Sequence, residues 1–366
     1  MTIGIICEYN PFHNGHLFHL NKVKELYKDS TIILVTNACF SERGDINIID
    51  KWDKTELALS LGIDLVVELP FVFSSQSADI FSRGAIEILN NLKVDKIVFG
   101  SECNNIELLK QVANSLLNEN NIKEYLKDGN SYPKAISNYI YDKYNFELKT
   151  PNDILGVCYI KEIIKSNSNI EPVCIERKND YHSLELENIC SASAIRNALK
   201  EKRDVSKYVP NDKCFKVHFL DELFPLIKYK IIIDDNLKRY QTVNEGIEYR
   251  LKKYINDSYS LDEFINNIKT KRYTYNRIKR MLVHILCGFT KEEATNLKTE
   301  YIRVLGFSKK GRDYLKAIKK ETEVPIITRY KKCKNMDIEI RCAAIYSLLE
   351  PYYLKSEFQK PIKKIN

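Results

Sequence analysis

Four short apolar runs, three of them followed by a stretch with helical spacing, fill the first hundred residues and constrain the fold more than anything else in the chain. Ile3–Cys7, Thr31–Thr36, Asp64–Leu69 and Asp95–Phe99 are rich in Ile and Val, as buried strands are. Between them lie residues 16–28, with Leu17, Leu20, Val23, Leu26 and Tyr27 on one face, then Lys51–Leu61 and Ala78–Leu89. Strands alternating with amphipathic helices imply right-handed crossovers. The expected fold class is therefore α/β, a doubly wound parallel sheet with helices on both faces. Glu171–Glu176 reads as one more strand, and Ser191–Glu201 as a helix with Ser191 at its N-cap.

Past residue 215 the character changes. Helical patterns over 236–256, 261–269, 275–288 and 309–320 predict a mainly α-helical segment, with Tyr301–Leu305 a short strand or an extended linker. Pro210-Asn211-Asp212 supplies turn chemistry, which places the expected division between 1–212 and 213–366. Charge divides at the same place. Residues 1–210 hold 24 Lys+Arg against 29 Asp+Glu, a net −5, and residues 211–366 hold 33 against 20, a net +13. A basic half suggests a polyanionic partner, although a solvated lysine-rich surface has the same composition.

With 44% hydrophobic and 29% charged residues and only 12 Gly, the chain is neither disordered nor fibrous. No apolar run approaches the ~18 residues of a membrane span. The start, Met1-Thr2-Ile3, lacks a basic patch. The ten cysteines are never closer than nine positions, so no CxxC metal or redox pair exists. The expectation is a cytoplasmic protein with reduced cysteines, no membrane contact and no metal held by protein ligands.

The candidate chemistry follows the first strand, in Glu8-Tyr9-Asn10-Pro11-Phe12-His13-Asn14-Gly15-His16-Leu17. Ligands of open α/β sheets bind beyond the carboxyl ends of strands. A strand, a turn and a helix start offer free N–H groups and the positive end of a dipole. Three of the six histidines, His13, His16 and His19, fall within seven residues here. Imidazoles can donate to phosphate oxygens and stabilise charge that develops in a displacement. Turn histidines without a ligand would look similar in isolation.

His13-Asn14-Gly15-His16 resembles the HxGH signature of the nucleotidyltransferase superfamily, and Ser191-Ala192-Ser193-Ala194-Ile195-Arg196 resembles its second signature, a Ser-rich turn that opens a helix. The likeness narrows to the tRNA(Met) cytidine acetate ligase family. It is carried by Glu8–His16, Lys51-Trp52, Val67–Phe71, Gln76-Ser77-Ala78, Phe99-Gly100-Ser101-Glu102, Pro151–Gly156 and Ser191–Arg196, and in the second half by Arg277–Arg280, Tyr301–Phe307 and Ile345-Tyr346.

The resemblance implies a two-step reaction. Acetate attacks the α-phosphorus of ATP to give acetyl-adenylate and pyrophosphate, and the exocyclic amine of the wobble cytidine of elongator tRNA(Met) then takes the acetyl group. Mg2+ bridging the phosphates is expected with it. His13, His16 and Arg196 are the implied catalytic residues. The implied ATP-binding set is the loop Ile6, Cys7, Glu8, Tyr9, Asn10, Pro11, Phe12, His13, Asn14, Gly15, His16, Leu17, Phe18 and His19, with Gly100, Asn152, Arg177, Ser191 and Arg196. The bland readings of the last group are a strand-end turn, helix caps and surface charge.

One stretch departs from the family. Where Ser-Gly-Asn-Phe and then Gln-Arg-Gly are common, this chain has Thr36-Asn37-Ala38-Cys39-Phe40-Ser41-Glu42-Arg43-Gly44-Asp45. Glu42 puts a negative charge where a small carboxylate is expected to bind.

The basic half has its own candidate surface in Lys271, Arg272, Arg277, Lys279 and Arg280, with Tyr273 and Tyr275 among them for stacking on anticodon bases. Lys309, Lys310, Arg312, Lys331, Lys332 and Lys334 extend it in the sequence. Charge reversal at Arg277 and Arg280 is expected to weaken tRNA binding and to spare adenylate formation. Two other readings stand beside this one. A nucleotidyltransferase that adenylylates a small phosphorylated coenzyme precursor leaves the basic half without a role. A non-catalytic RNA-binding protein leaves the histidine pair without one.

Overall fold

The computed structural model describes residues 1–126, 132–177, 191–210, 216–359 and 362–365. Among them, eight strands form the sheet: β1 (Thr2–Ile6), β2 (Thr31–Asn37), β3 (Leu65–Leu69), β4 (Lys96–Ser101), β5 (Glu171–Glu176), β6 (Ile302–Ser308), β7 (Ile326–Ile327) and β8 (Lys363–Ile365). The first five run parallel in the order β5-β4-β1-β2-β3. Strands β2 and β3 are buried along their whole length, which explains why their sequences are unbroken apolar runs instead of alternating ones. The order reverses at β1, with β2 on one side and β4 on the other. That is the switch point where an open α/β sheet leaves a crevice at its carboxyl edge.

The sheet does not stop at residue 212. Strand β6 lies antiparallel to β3, with Leu65 opposite Phe307 and Val67 opposite Val304, and β7 and β8 run parallel to β6. The Tyr301–Leu305 stretch is thus a sheet strand. Its place is fixed by a buried ionic cluster. Arg303 of β6 sits 2.7 Å from the Glu357 carboxylate, and Lys51 sits 2.5 Å from Glu68 of β3 and 2.8 Å from Glu357, all four side chains fully buried. Gly306 lets the Lys51–Ser60 helix lie close, since a Cβ there would come within 2.7 Å of Thr55 Cγ2. The expected division falls in residues 211–215, outside the described residues, as do Cys190 and Cys214; the other eight cysteines are free thiols.

Elsewhere the second half is helical. Leu261–Ile268, Tyr275–Cys287 and Lys309–Ile318 form within a residue or two of expectation. The expected helix over 236–256 does not form as one piece: only Ile247–Tyr254 is α-helical after a short 3-10 turn at Leu237–Arg239. Thr242, Glu245 and Gly246 take positive φ values of 69°, 55° and 80°, which no α-helix accommodates. The helix Phe224–Ile233 went unread because its sequence, FPLIKYKIII, is apolar on nearly every side and shows no period. Ile227, Leu251, Phe264, Ile278 and Leu282 join the same hydrophobic core as the sheet.

Candidate active site

A cavity of about 1100 Å³ opens at the switch point, over the carboxyl ends of β1 and β4. Its floor is the turn after β1. His13 is the N-cap of the helix Asn14–Leu26, and its Nδ1 accepts the Gly15 N–H at 3.1 Å. His16, one turn in, accepts the His13 N–H on its own Nδ1 at 3.3 Å. The two rings stack with centroids 3.7 Å apart. A neutral imidazole whose Nδ1 accepts carries its proton on Nε2. Both rings therefore keep an Nε2–H donor for the cavity that both residues line. Burial, and then the charges of Arg177 and Arg196, push the His13 pKa down to about 3. Burial, and then His13, hold His16 well below its ordinary value. Neutral donors at a helix N-terminus suit a polyanion, which needs hydrogen bonds and brings its own charge.

Two arginines flank the pair. Arg196, from the helix Ala192–Lys200, donates to the Asn10 carbonyl at 2.7 Å and to Ser193 Oγ at 3.0 Å. Ser191 caps that helix through the Ala194 N–H at 3.1 Å. Arg177 follows β5, and a Cβ on Gly100 would lie 3.0 Å from its side chain, so Gly100 leaves room for Arg177. Asp153 pins the opposite corner, accepting from Ser101 Oγ at 2.5 Å, Thr150 Oγ1 at 2.6 Å and the Cys103 N–H at 3.2 Å. Asn152 beside it donates to Glu102 Oε1 at 2.6 Å, and Arg177 Nε lies 3.8 Å from the same oxygen.

Glu8 marks the back of the cavity. Its Oε1 accepts the Glu42 N–H at 2.7 Å and Asn37 Nδ2 at 2.9 Å. Lys54 Nζ supports this corner through the Glu8 carbonyl at 3.0 Å and the Asn37 carbonyl at 2.8 Å. Burial raises Glu8 to about 7 against the pull of the Glu42 N–H bond, and burial lowers Lys54 to about 8. Part of the wall comes from the second half: Gln241, Thr242 and Glu245 from the turn that replaces the expected helix, then Arg272, Arg277 and Arg280.

The whole chain is similar to known proteins. Residues 1–360 match the family described as HIGH Nucleotidyl Transferase. The tRNA(Met) cytidine acetate ligase of Caldicellulosiruptor saccharolyticus is 40% identical over 98% of each chain, and that of Clostridium perfringens strain SM101 is 39% identical over 95% of each. This chain belongs to the tRNA(Met) cytidine acetate ligase family. Among solved structures, Thermotoga maritima TmcAL without ligand superimposes with a TM-score of 0.92 at 30% identity, covering 100% of this chain and 99% of that one. TmcAL bound with alpha-thio ATP gives 0.89 with the same coverage.

Within this ligase-family fold the site residues expected from sequence divide in two. Ile6, Cys7, Glu8, Tyr9, Asn10, His13, Gly15, His16, Phe18 and His19 line the cavity, as do Gly100, Asn152, Arg177, Ser191 and Arg196. Pro11, Phe12, Asn14 and Leu17 do not. Phe12 is buried with its ring 4.4 Å from that of Tyr9, Leu17 packs on the core, and Asn14 donates to the Lys207 carbonyl at 2.9 Å. Asn10 lines the cavity yet spends its amide on the Ile46 carbonyl and the Ile48 N–H.

The basic cluster is less uniform than its sequence. Lys271 and Arg272 are exposed, and Arg277 stacks 4.1 Å above the buried Tyr273 ring. Lys279 is buried against Asp45 at 2.5 Å, and Arg280 pairs with Glu42 at 3.0 Å. Lys310 donates to the Ser30 carbonyl just before β2, at the sheet edge opposite the cavity, so the helix Lys309–Ile318 does not continue this surface. The 241–245 wall escaped sequence reading because its neighbours have helical spacing; Gly246 was the one available signal.

Proposed function

We propose that this chain is an ATP-dependent ligase that activates acetate as acetyl-adenylate and transfers the acetyl group to the exocyclic amine of the wobble cytidine of elongator tRNA(Met). The observation that carries this reading is the stacked His13–His16 pair, with two Nε2–H donors, at a helix N-terminus in a cavity whose far wall belongs to the basic half. The relatives bear the name of this reaction, and TmcAL has been solved with an ATP analogue.

In the first step the triphosphate lies over the amides opening Asn14–Leu26, where His13, His16, Arg177 and Arg196 absorb the charge of the departing pyrophosphate. Holding acetate and the α-phosphorus in line accounts for much of the rate, since the chemistry needs no covalent enzyme intermediate. Among the described residues no group of three His, Cys, Asp or Glu could hold a metal ion. Mg2+ fits as a partner of the nucleotide's own phosphate oxygens, where it would neutralise charge.

In the second step the cytidine enters from the side of Arg272 and Arg277. Residues 1–212 serve as the catalytic part and 213–366 as the tRNA-binding part, with Lys271, Arg272 and Arg277 the cations of the cluster that lie outside buried ion pairs and meet phosphate. No described helix is long and apolar enough to cross a membrane, which suits an enzyme acting on cytoplasmic tRNA. The test is ATP–pyrophosphate exchange with and without acetate, followed by nucleoside mass spectrometry of tRNA incubated with the enzyme. Exchange should require acetate, and acetylcytidine should appear only with tRNA(Met). Exchange indifferent to acetate would favour adenylylation of another small substrate.

A further inference from the structure

The second step releases a proton that nothing described so far accepts. The amine attacks the acetyl carbonyl carbon, a C–N bond forms, the C–O bond to the phosphate breaks, and AMP leaves as an anion that needs no proton. The nitrogen of the new amide must shed one hydrogen to a base at the junction between the nucleotide floor and the second-half wall.

The lining groups can be sorted. His13 and His16 accept backbone N–H groups on Nδ1, so their Nε2 atoms already carry protons. His19 keeps its Nε2 enclosed and without a partner, and burial holds it near 4, a weak base. Lys54 spends its donors on Glu8 and Asn37. Among the carboxylates, Glu42 pairs with Arg280, Asp79 with Lys161, and Glu245 lies 3.8 Å from Arg272. Glu176 is exposed at the end of β5. Glu8 differs from all of these. Its Oε1 is pinned by two N–H donors, which fixes the plane of the group, while no described residue partners Oε2 and the residue lines the cavity. It also sits at the seam: Glu8 holds Glu42, and Glu42 holds Arg280 of the second half.

We propose that Glu8 is the general base of acyl transfer, its open Oε2 taking the proton from the cytidine amine as that amine attacks the acetyl-adenylate. This rests on the ligase reading above. The charged and titratable groups that face it are Lys54 from the helix Lys51–Ser60, Glu42 and Arg43 from the loop after β2, Tyr159 from the helix Pro151–Lys165, Cys7 beside it, and Arg280 through Glu42. With burial they place its pKa near 7, where a base is both ionised and strong enough to act. The proton then passes to water through the cavity.

Glu8→Gln keeps an oxygen for Asn37 and Glu42 and removes the base. In single-turnover transfer from preformed acetyl-adenylate to tRNA, wild type should speed up through an inflection near pH 7. E8Q should slow transfer by about 10²–10⁴-fold and lose that inflection. Supplying acetyl-adenylate directly bypasses the first step, so a change in ATP binding at Glu8 does not enter the readout. The proposal falls if E8Q transfers at the wild-type rate, or if its slowed transfer keeps the wild-type inflection near pH 7. Should E8Q not fold, a wild-type transfer rate that is flat from pH 6 to 8 overturns it equally. A wild type without acetate-dependent exchange would instead sink the ligase reading, and this inference with it.

Discussion

Arg280 reaches from the Tyr275–Cys287 helix to Glu42 and bonds both its carboxylate and its main-chain carbonyl at 3.0 Å. Glu42 is the residue whose charge makes the loop after β2 look hostile to acetate. Its neutralising partner comes from the cluster that reads in sequence as RNA-binding. The same loop is held on its other side by Glu8, so one bonded path runs from the nucleotide floor to the basic half.

Arg280 and Arg277 should therefore part company. R280E leaves two carboxylates facing each other above Glu8 and forfeits a charge-assisted bond of about 1.5–3 kcal/mol. Acetate-dependent exchange should fall tenfold or more, and E42R/R280E should recover part of it. R277E, whose guanidinium rests over Tyr273 at the cavity mouth, should leave exchange within twofold and raise the Kd for tRNA. R280E with normal exchange would contradict the role given to this pair.

Gly44 explains why the loop tolerates no side chain at that position. Its φ is +72°, and a Cβ would lie 2.2 Å from the Arg280 nitrogen and 2.5 Å from the Lys279 carbonyl carbon. The left-handed backbone alone costs an L-residue about 1–2 kcal/mol, and the backbone contact cannot yield without moving the helix. G44A should lower stability in urea by at least about 2 kcal/mol. Gly288 is the control: its φ is +64° with nothing within 4 Å of the added Cβ, so G288A should cost only the backbone share. Equal losses would refute the close-approach argument.

What was legible in the sequence was local. His13–His16 and Ser191–Arg196 declare themselves because a strand end, a cap and a helix start are set by neighbouring residues, and the structure puts both on one cavity. What was not legible depended on distant partners. Lys279 reads as a surface cation until Asp45, some 230 positions earlier, is found beside it. Strand β6 reads as either a short strand or a linker until it meets β3. The 236–256 stretch has helical spacing, yet positive φ values at Thr242 and Glu245 turn it into a wall of the site. Spacing reports which faces are apolar, not which chain segment covers them.

His13 should remain neutral in acid. With its folded pKa at about 3 against 6.5 unfolded, the unfolded chain takes up a proton below pH 6.5 that the folded chain refuses until about 3. The stability that neutral His13 allows is fully present above 6.5 and is lost as pH falls, by up to about 1.4 kcal/mol per unit from this group alone. His13→Asn keeps a side-chain acceptor at the N-cap without a titrating ring. Its urea midpoint should fall less steeply than that of wild type between pH 6.5 and 4.5, while its adenylation is lost. A bound triphosphate, being anionic, should raise the His13 pKa, which imidazole ¹⁵N shifts will register. A free His13 already charged at pH 5 would contradict this electrostatic picture.

Lys51→Met tests how the two halves are joined. Lys51 lies between Glu68 of β3 and Glu357 of the Tyr353–Gln359 helix, and Arg303 of β6 pairs with the same Glu357. Methionine matches the length of lysine but leaves two buried carboxylates with one cation between them. Removing one partner of a buried pair costs about 3–5 kcal/mol, because the remaining charge loses its compensation. Lys51 and Arg303 come from opposite ends of the chain, so the loss should loosen β6 and the C-terminal helix together. Amide exchange in β6 and β8 should accelerate in K51M while β1 and β4, on the far side of β2, stay protected. Replacing all four charged residues by apolar ones of similar volume should restore much of the stability, since such clusters gain little over good packing. If K51M unfolds at the wild-type urea midpoint, the cluster does not hold β6 to the sheet, and the shared hydrophobic core must do so unaided.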